Sequence, residues 1–308
     1  MENKLHASFS PHIKSNNSTM RTMLDVIIAL VPATVVSVLL LGVNALLVIA
    51  TCVISAVACE FIFNIIVKKE QTISDLSAII TGLLLALNLP ANIPLWQAAV
   101  GSAFAIILVK GIFGGLGKNI VNPAMTARVF MLLAFGSMVD YTLPEGMDAT
   151  SGATPLVQLA NGEKLTLWNL FFGNHGGSLG ETCALALIIG GIYLLVRKVI
   201  TWHIPVAFIG TTFLLTLLIV GGDVEMAVAW ILSGGLMIGA FFMATDYVTS
   251  PSTAKGKLIF GIGAGVITVL IRFFGGYPEG VSFAILLMNI VNPYIDSLTP
   301  RKLFGGKK

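Results

Sequence analysis

Long apolar runs, separated by short groups of charged residues, Gly, Pro and Asn, make up most of this chain. A run of about twenty apolar residues is long enough to cross the hydrocarbon core of a bilayer as a helix. About ten such runs are present, at residues 24–42, 45–67, 74–89, 93–113, 122–139, 182–200, 203–221, 224–245, 257–275 and 278–295. The pattern therefore predicts an all-α, polytopic membrane protein with about ten transmembrane helices.

Two of the predicted helices are irregular. The third is short, and the eighth contains Gly234, Gly235 and Gly239. Short or glycine-interrupted spans at corresponding places in two halves of a membrane protein are typical of discontinuous helices around a central binding site. We therefore expect broken helices in both halves of the chain.

A repeated pentapeptide supports two related halves. NIVNP occurs at residues 119–123 and again at 289–293. Five predicted spans precede a hydrophilic stretch and five follow it, and an odd number of spans per half inverts the second half relative to the first. The predicted divisions are an N-terminal segment, a first five-helix repeat, a loop, a second five-helix repeat and a basic tail, at 1–23, 24–139, 140–181, 182–295 and 296–308.

The asparagines of the first NIVNP copy are candidate ligand-binding residues. Asn119 and Asn122 are three residues apart, so they share a face if the turn is helical, and Pro123 suits the start of the next helix. Amide side chains at membrane depth need partners, which predicts that this pair lines a cavity or a ligand. For the second copy the simpler expectation is that it marks a helix boundary at the membrane surface and binds no ligand.

Composition and charge extend this interpretation. Hydrophobic residues make up 56% and charged residues 11% of the 308 residues, which is too little polar surface for a soluble globule. An even number of spans places both termini on one side, and all 18 Lys and Arg residues except Lys164 and Arg272 fall there. The positive-inside rule then predicts N-in and C-in topology, with loop 140–181 outside. The first span has no clear cleavage site and is expected to be retained.

Several kinds of chemistry are not supported by the sequence. Cys52, Cys59 and Cys183 lack the spacing of an iron–sulfur or zinc site, so no metal site is predicted. The four histidines are not paired within spans as a bis-histidine haem would need. The glycines between residues 111 and 117 lie in a membrane connection, so they form no NAD fingerprint. The small net charge of +3 is spread along the chain and argues against nucleic-acid binding.

The predicted outer loop contains DATSGATPL at residues 148–156, a run of small and polar residues. Because the residue before proline favours extended conformations, Thr154 should present its hydroxyl outward, where a modifying enzyme could reach it. The run DATSGAT fits the pattern D-x-x-[ST]-G-A-T and resembles the flavin-attachment sequence of the RnfD/NqrB family of ion-translocating oxidoreductase subunits. Five other segments are similar to that family: SPHI, MLDVIIALVPA, GLGKNIVNPAMTARVF, FFMATDYVTSP and LLMNIVNPYID, starting at residues 10, 23, 115, 241 and 286.

This resemblance covers nearly the whole chain, and the short N-terminal segment favours RnfD over NqrB. It implies that a flavin transferase attaches FMN to Thr154 as a phosphoester. The residues that would form the recognised motif are Asp148, Ser151, Gly152 and Ala153. It also implies a non-covalent riboflavin deeper in the membrane, near Asn119, Asn122 and Asp246, where carboxamides and a carboxylate could bond the polar groups of a flavin.

The function implied is that of a flavin-carrying subunit of an Rnf complex in a prokaryotic inner membrane. Such a complex passes electrons between ferredoxin and NAD and couples them to Na⁺ or H⁺ translocation. Partner subunits would carry iron–sulfur clusters, FMN and the NAD site. An inverted repeat with broken helices also suits a channel or secondary transporter of a small solute, which stays the alternative.

Three charged residues have two interpretations each. Arg272 either neutralises the FMN phosphate or anchors its helix at the membrane interface. Asp246 either binds riboflavin or is a solvated charge at a helix end. Glu60 lies on a possible ion path, or extends its carboxylate to the cytoplasmic interface. The sequence leaves the coupling ion open.

Overall fold

The computed structural model describes residues 18–136, 154–173, 175–275 and 279–300, and all of the extended regular elements in these ranges are helices. Twelve helices are labelled in chain order: α1 Thr19–Val67, α2 Ser77–Leu87, α3 Leu95–Gly111, α4 Pro123–Ala134, α5 Pro155–Ala160, α6 Leu167–Phe172, α7 Ala184–Val196, α8 His203–Ile219, α9 Val224–Leu232, α10 Leu236–Met243, α11 Ala254–Phe274 and α12 Val281–Leu298. The prediction of an all-α fold is confirmed for these ranges.

Helix α1 contains two of the predicted spans. It has 49 residues, and its backbone leaves the helical conformation at Gly42, with φ of 71° and ψ of −156°. A continuous helix of this length would measure roughly 70 Å, more than twice the hydrocarbon core. A positive φ costs glycine little, so Gly42 is suited to divide the helix near the predicted boundary between residues 42 and 45.

The other predicted spans also coincide with helices. The two spans predicted to be irregular, 74–89 and 224–245, are irregular in the structure. Helix α2 has only 11 residues. Helices α9 and α10 meet at an angle of 68° across the break at residues 233–235, where Gly234 has φ of 71°. The expectation of broken helices in both halves is therefore confirmed for the second half, whereas the described residues of the first half contribute the half-length helix α2.

Length and apolar composition single out α1, α11 and α12 as long enough to cross a membrane, and the bent pair α9–α10 passes the same test together. The shorter apolar helices of 10–17 residues are α2, α3, α4, α7 and α8. These helices indicate a membrane protein. The count of ten crossings, their orientation and the domain boundaries stay predictions, and residues 137–153 of the predicted loop lie outside the described residues.

Glycines allow α8 and α11 to pack closely. Gly261 and Gly265 of α11 face α8, where a methyl group on Gly261 would lie 2.9 Å from the Ile204 carbonyl oxygen. A methyl group on Gly265 would lie 3.1 Å from the Phe208 carbonyl oxygen. Small residues four apart let membrane helices approach at the backbone, so this pair explains why α8 and α11 pack tightly.

The two NIVNP copies have different structures and meet each other. The first begins α4, whereas the second lies inside α12, where Asn289 and Asn292 are buried. With its amide oriented to satisfy both atoms, Asn289 accepts from the Asn122 backbone N–H at 3.1 Å and donates to the Thr249 carbonyl at 3.3 Å. The expectation that the second copy marks a helix boundary at the membrane surface is therefore wrong, because the Asn289 amide is buried inside α12 and joins the two halves.

The glycine contact can be tested by Gly261→Ala. The added methyl group meets backbone atoms of α8, which cannot move aside, so we expect destabilisation of about 1–3 kcal/mol. The check is the melting temperature of the detergent-solubilised protein. Gly210→Ala is the matched control, since a methyl group there has no heavy atom within 4 Å among the described residues. An unchanged melting temperature for Gly261→Ala would contradict the assigned contact.

Candidate functional site

A cavity of about 90 Å³ lies between the two halves of the protein. This volume is several times the roughly 10–15 Å³ that one water molecule needs. Its polar lining includes Ser77, Thr81, Lys110, Asn119, Asn122, Thr245 and Asp246, and its apolar lining includes Leu84, Leu194 and Phe242. The three residues that the family resemblance associates with riboflavin therefore share one cavity, although Asp246 is more than 100 residues from Asn119 and Asn122 in sequence.

Asn122 is held in place as the N-cap of α4. Its Oδ1 accepts from the backbone N–H groups of Ala124 at 3.0 Å and Met125 at 3.3 Å, and its Nδ2 donates to the Met243 carbonyl at 3.3 Å. Asparagine before proline suits this position, because proline at the first helical residue has no N–H to satisfy. The side chain thus ties the start of α4 to the end of α10.

Asn119 offers the cavity an available acceptor. Its side chain is buried, and its Oδ1 accepts no hydrogen bond from any described residue. A buried acceptor without a donor costs about 1–3 kcal/mol. A ligand that donates a hydrogen bond to this oxygen would remove that cost, so Asn119 is the residue in the cavity best prepared to bind one.

Asp246 follows α10 and lines the same cavity. Its carboxylate accepts from the Val248 N–H and from the Thr249 hydroxyl, both at 3.2 Å. The side chain is partly buried. The interpretation as a solvated helix-end charge is therefore incomplete, because this carboxylate also shapes the cavity wall.

Both halves contribute a stretch of π-helix beside the cavity. Residues Phe104–Gly111 of α3 and Gly239–Met243 of α10 are π-helical. Lys110 from the first stretch and Phe242 from the second line the cavity. Such stretches are frequent at functional sites because they widen the helix and turn side chains away from their regular positions.

Lys110 joins the cavity to a buried ion pair. Its Nζ donates to Ser77 Oγ at 2.6 Å and to Glu60 Oε1 at 2.7 Å, and the Thr72 hydroxyl also donates to Glu60 Oε1 at 2.7 Å. Glu60 is only 4% exposed. The expectation that Glu60 extends to the interface is therefore wrong, because Lys110 attracts its carboxylate inward, and its role on an ion path stays a prediction.

A second cavity, of about 210 Å³, lies on the other side of this pair. Glu60, Asn64, Thr72 and Lys110 line it, and Asn64 Nδ2 donates to Thr72 Oγ1 at 3.1 Å. Lys110 is thus shared between both cavities. A lysine inside the apolar run 93–113 is an unusual position, and this signal could have identified it from sequence.

A second buried group of charges surrounds Arg128 of α4. The guanidinium donates to Asn88 Oδ1 at the end of α2 and to the Glu279 carboxylate before α12. Its Nη2 is also 3.6 Å from Glu181 Oε1. Arg128 was counted among the cations of the cytoplasmic side, and that assignment is wrong, because this residue lies inside the protein with Glu181 of the predicted outer loop.

Arg272 closes the break between α9 and α10. It donates to the carbonyl oxygens of Trp230 at 2.6 Å and Ser233 at 3.0 Å, and more weakly to that of Glu279 at 3.4 Å. The side chain is 6% exposed, so anchoring at the membrane interface is wrong. Its predicted role as a partner of the FMN phosphate stays a prediction.

Glu181 lies in the connection before α7 and faces this group of charges. Its side chain is buried, and burial together with the charge of Glu279 raises its pKa from the ordinary 4.5 to about 7. The Arg128 charge and hydrogen bonds from Ser178 oppose that rise. Neither Glu181 nor Glu279 carries a sequence signal of this role, since each precedes a helix in a connection where carboxylates are common.

Thr154 precedes α5 in an extended conformation, with φ of −64° and ψ of 156°. The extended backbone agrees with the effect expected of Pro155. The side chain is not presented outward, because it is only 8% exposed and accepts a long hydrogen bond from the Val157 N–H at 3.4 Å. The preceding motif residues Asp148, Ser151, Gly152 and Ala153 lie outside the described residues.

Comparison with known proteins places these residues in context. The model of the NQR2, RnfD, RnfE family matches residues 6–305. The D subunit of the Na(+)-translocating ferredoxin:NAD(+) oxidoreductase complex of Acetobacterium woodii is 47% identical, over 100% of this chain and 97% of its own length. Its counterpart in the proton-translocating complex of Clostridium ljungdahlii is 42% identical, over 98% and 96%. The D subunit of an ion-translocating oxidoreductase complex of Pseudomonas aeruginosa is 37% identical, over 97% and 95%.

The buried ion pair can be tested with Lys110→Met. This change leaves the Glu60 carboxylate without its cation and should destabilise the protein by about 3–5 kcal/mol. Adding Glu60→Gln should recover part of the loss, because the uncompensated charge disappears. Melting temperatures in detergent provide the measurement, with Lys118→Met at an exposed position as the control. If the loss of stability in the double variant equals the sum of the losses in the two single variants, Lys110 and Glu60 do not stabilise each other and the pairing is refuted.

Proposed function

Because the chain belongs to the NQR2, RnfD, RnfE family, we propose that it is the flavin-carrying membrane subunit of an Rnf-type ferredoxin:NAD oxidoreductase complex. The full-length similarity to the D subunits of two such complexes supports this function. The chain would work as one subunit of the enzyme, with partner subunits providing the iron–sulfur clusters, FMN and the NAD site. Its place would be the cytoplasmic membrane of a prokaryote.

The proposed topology has ten crossings, with both termini in the cytoplasm. The coincidence of every predicted span with a helix supports it, as does the break of α1 at Gly42. The shorter helices would cross together with the breaks and connections that adjoin them, as in discontinuous spans of membrane proteins. The flavin-bearing loop 140–181 would then face the outside.

Thr154 is the proposed site of covalent FMN. A flavin transferase would transfer FMN from FAD: the pyrophosphate bond of FAD breaks, AMP leaves, the Thr154 hydroxyl loses its proton, and the FMN phosphorus bonds to Thr154 Oγ1. Among the described residues, the hydroxyl oxygen accepts one long hydrogen bond, from the Val157 N–H at 3.4 Å, so esterification of this oxygen would cost little local hydrogen bonding. When bound, FMN supplies an electron relay that the side chains of this chain lack.

A cation lies close to the segment that carries Thr154. Leu156 Cδ1 and Arg272 Nη2 both face Gly234, at 2.5 Å and 3.0 Å from the position of an added methyl group. A phosphoester introduces negative charge, which a nearby guanidinium favours. This proximity supports Arg272 as the partner of the phosphate.

The observation that carries the riboflavin proposal is the Asn119 oxygen, to which no described residue donates, in a cavity shared with Asn122 and Asp246. A flavin ring presents an imide N–H and carbonyl groups, and its ribityl chain presents hydroxyls. Asn119 Oδ1 and the Asp246 carboxylate would accept hydrogen bonds from such groups. The apolar side chains of Leu84 and Phe242 would contact the ring.

A channel or secondary transporter is the less favoured function. In such proteins the solute passes where the broken helices of the two halves meet. Here Arg128 and its carboxylate partners fill that place, between the end of α2 at Asn88 and the break at Gly235. The coupling ion stays open, since one relative is named for sodium and another for protons.

Covalent flavin can be tested with Thr154→Val in a host that supplies the flavin transferase. We expect the denatured wild-type protein to keep flavin fluorescence on a gel and the variant to lose it, because valine has no hydroxyl to esterify. Thr154→Ser should retain fluorescence. Thr166→Val is the matched control, since Thr166 also precedes a short helix. Unchanged fluorescence in Thr154→Val would refute this attachment site.

Bound riboflavin can be tested with Asn119→Leu. Loss of one hydrogen bond should weaken non-covalent flavin binding about tenfold. The melting temperature of the flavin-free protein should not fall, because the change removes a buried acceptor, Asn119 Oδ1, to which no described residue donates. The measurement is the flavin released by precipitation, quantified by mass spectrometry. Asn169→Leu at an exposed position is the control. Flavin content equal to that of the wild type would exclude Asn119 as a ligand.

A further inference from the structure

Arg128, Asn88, Glu181 and Glu279, here called the Arg128 cluster, form a buried polar group that electron transfer through the two proposed flavins does not explain. It joins the end of α2, the middle of α4, the connection before α7 and the residues just before α12. Arg128 and Glu181 are 3% and 5% exposed. Ionised groups at such burial are costly unless they are compensated, so the charge balance within the cluster decides which protonation states it can adopt.

One guanidinium serves two carboxylates in this cluster. Arg128 donates a hydrogen bond to Glu279, whereas Glu181 Oε1 lies 3.6 Å away, beyond hydrogen-bond distance. No described residue donates to Glu181 Oε1, although Glu181 Oε2 accepts from the Ser178 N–H at 3.4 Å. Glu181 is thus the less compensated carboxylate of the two.

The second cation nearby, Arg272, interacts electrostatically with Glu181 and Glu279 but directs its hydrogen bonds elsewhere. Arg272 donates to the carbonyl oxygens of Trp230 and Ser233, which carry the partial negative charge at the end of α9. Arg272 therefore lowers the cost of the negative charges without giving Glu181 Oε1 a hydrogen-bond donor. Burial and the repulsion between the Glu181 and Glu279 carboxylates favour a state in which one of the two carboxyl groups is protonated.

The remaining groups that face Glu181 support the same state. His175, in the same connection, has a pKa that burial lowers, so it adds no stable positive charge. Gly235 brings only backbone against the carboxylate, with an added methyl group placed 3.2 Å from Glu181 Oε1. Asn88 accepts from Arg128 and thereby draws part of the guanidinium away from Glu181.

The cluster also lies beside the segment that carries Thr154. Gly234 contacts Leu156, two residues after Thr154, while the adjacent Gly235 contacts Glu181. An electron placed on a flavin attached there would raise the negative potential at Glu181. In a low-dielectric interior such a charge favours the neutral form of a nearby carboxyl group.

We infer that Glu181 is a redox-linked proton-binding site, which takes up a proton on Oε1 when an electron reaches the flavin on Thr154. The inference rests on the proposed function for the origin of the electron. A one-electron donor, such as a reduced iron–sulfur protein, is oxidised and the flavin is reduced. An O–H bond forms at Glu181 with a proton from water, and the proton is released when the flavin is reoxidised.

The pKa of Glu181, raised to about 7 by burial and by Glu279, places its titration near neutral pH. Because this pKa lies above the ordinary 4.5, the carboxyl group is protonated below about 7 and ionised above it. Replacing Glu279 by glutamine removes a negative neighbour and weakens the competition for Arg128, so the titration of Glu181 should move to lower pH.

The first test needs no flavin. Full-length Thr154→Val protein in lipid nanodiscs is titrated across neutral pH by infrared difference spectroscopy. We expect a carboxylic acid band that grows as the pH falls through about 7, is absent when Glu181→Gln is added, and shifts to lower pH with Glu279→Gln. Glu225→Gln, at an exposed carboxylate, is the matched control and should leave the band unchanged. A band that is absent, or that survives Glu181→Gln, overturns the assignment of the proton site.

The second test measures the redox link in flavin-loaded protein. A pH indicator records the protons taken up when dithionite reduces the flavin at about pH 7, where the pKa of Glu181 lies. We expect Glu181→Gln to take up fewer protons than the wild type and than Glu225→Gln. Equal uptake in all three overturns the link. The melting temperature of each variant shows whether it is folded. If Glu181→Gln misfolds, Glu279→Gln still tests the proton site, because it keeps the Glu181 carboxyl group and should shift its titration to lower pH.

The two tests also separate this inference from the proposed function. If Thr154 carries no flavin, the proposed function fails in the gel assay, and the redox link falls with it. The infrared titration still decides whether Glu181 binds a proton. If flavin is present but the infrared band is not, the proposed function stands and the proton site is refuted.

Discussion

Arg272 satisfies the carbonyl oxygens of Trp230 and Ser233 where α9 stops, and the arrangement of the second half depends on this interaction. A helix that ends inside an apolar environment exposes carbonyl groups that water cannot reach, and each costs several kcal/mol if left without a donor. Arg272 removes that cost, so the chain can bend by 68° and continue as α10. The bend brings α10 to the cavity wall.

In the first half, backbone N–H groups rather than an arginine satisfy the carbonyl oxygens at the end of the interrupted helix. Helix α2 ends at Leu87, and the backbone N–H groups of Leu179 and Gly180 donate to the Leu89 and Leu87 carbonyl oxygens there. The connection before α7 thus completes the end of α2 and carries Glu181 to Arg128. Satisfying the backbone at two interrupted helices therefore also assembles the buried charges, so structure and candidate chemistry have the same physical origin.

The sequence could predict features that depend on local pattern. Apolar length located the helices, the glycines of residues 233–235 located the break, and the proline after Asn122 located the start of α4. The exposure of Thr154 and the position of Glu60 were predicted wrongly, because each depends on contacts that local pattern does not encode. Lys110 attracts Glu60 inward, and the Thr154 side chain turns back onto its own helix. The flavin ligands themselves stay predictions.

The sequence by itself determined that the chain is apolar and helical, because hydrophobic length and periodicity act locally. It also determined which family the chain resembles, since motifs are contiguous. Only the tertiary structure decided that Asn119, Asn122 and Asp246 share one cavity and that Arg128 joins Glu181 and Glu279. The physical reason is that burial and charge pairing depend on contacts between distant segments, whose geometry becomes defined only when the helices pack.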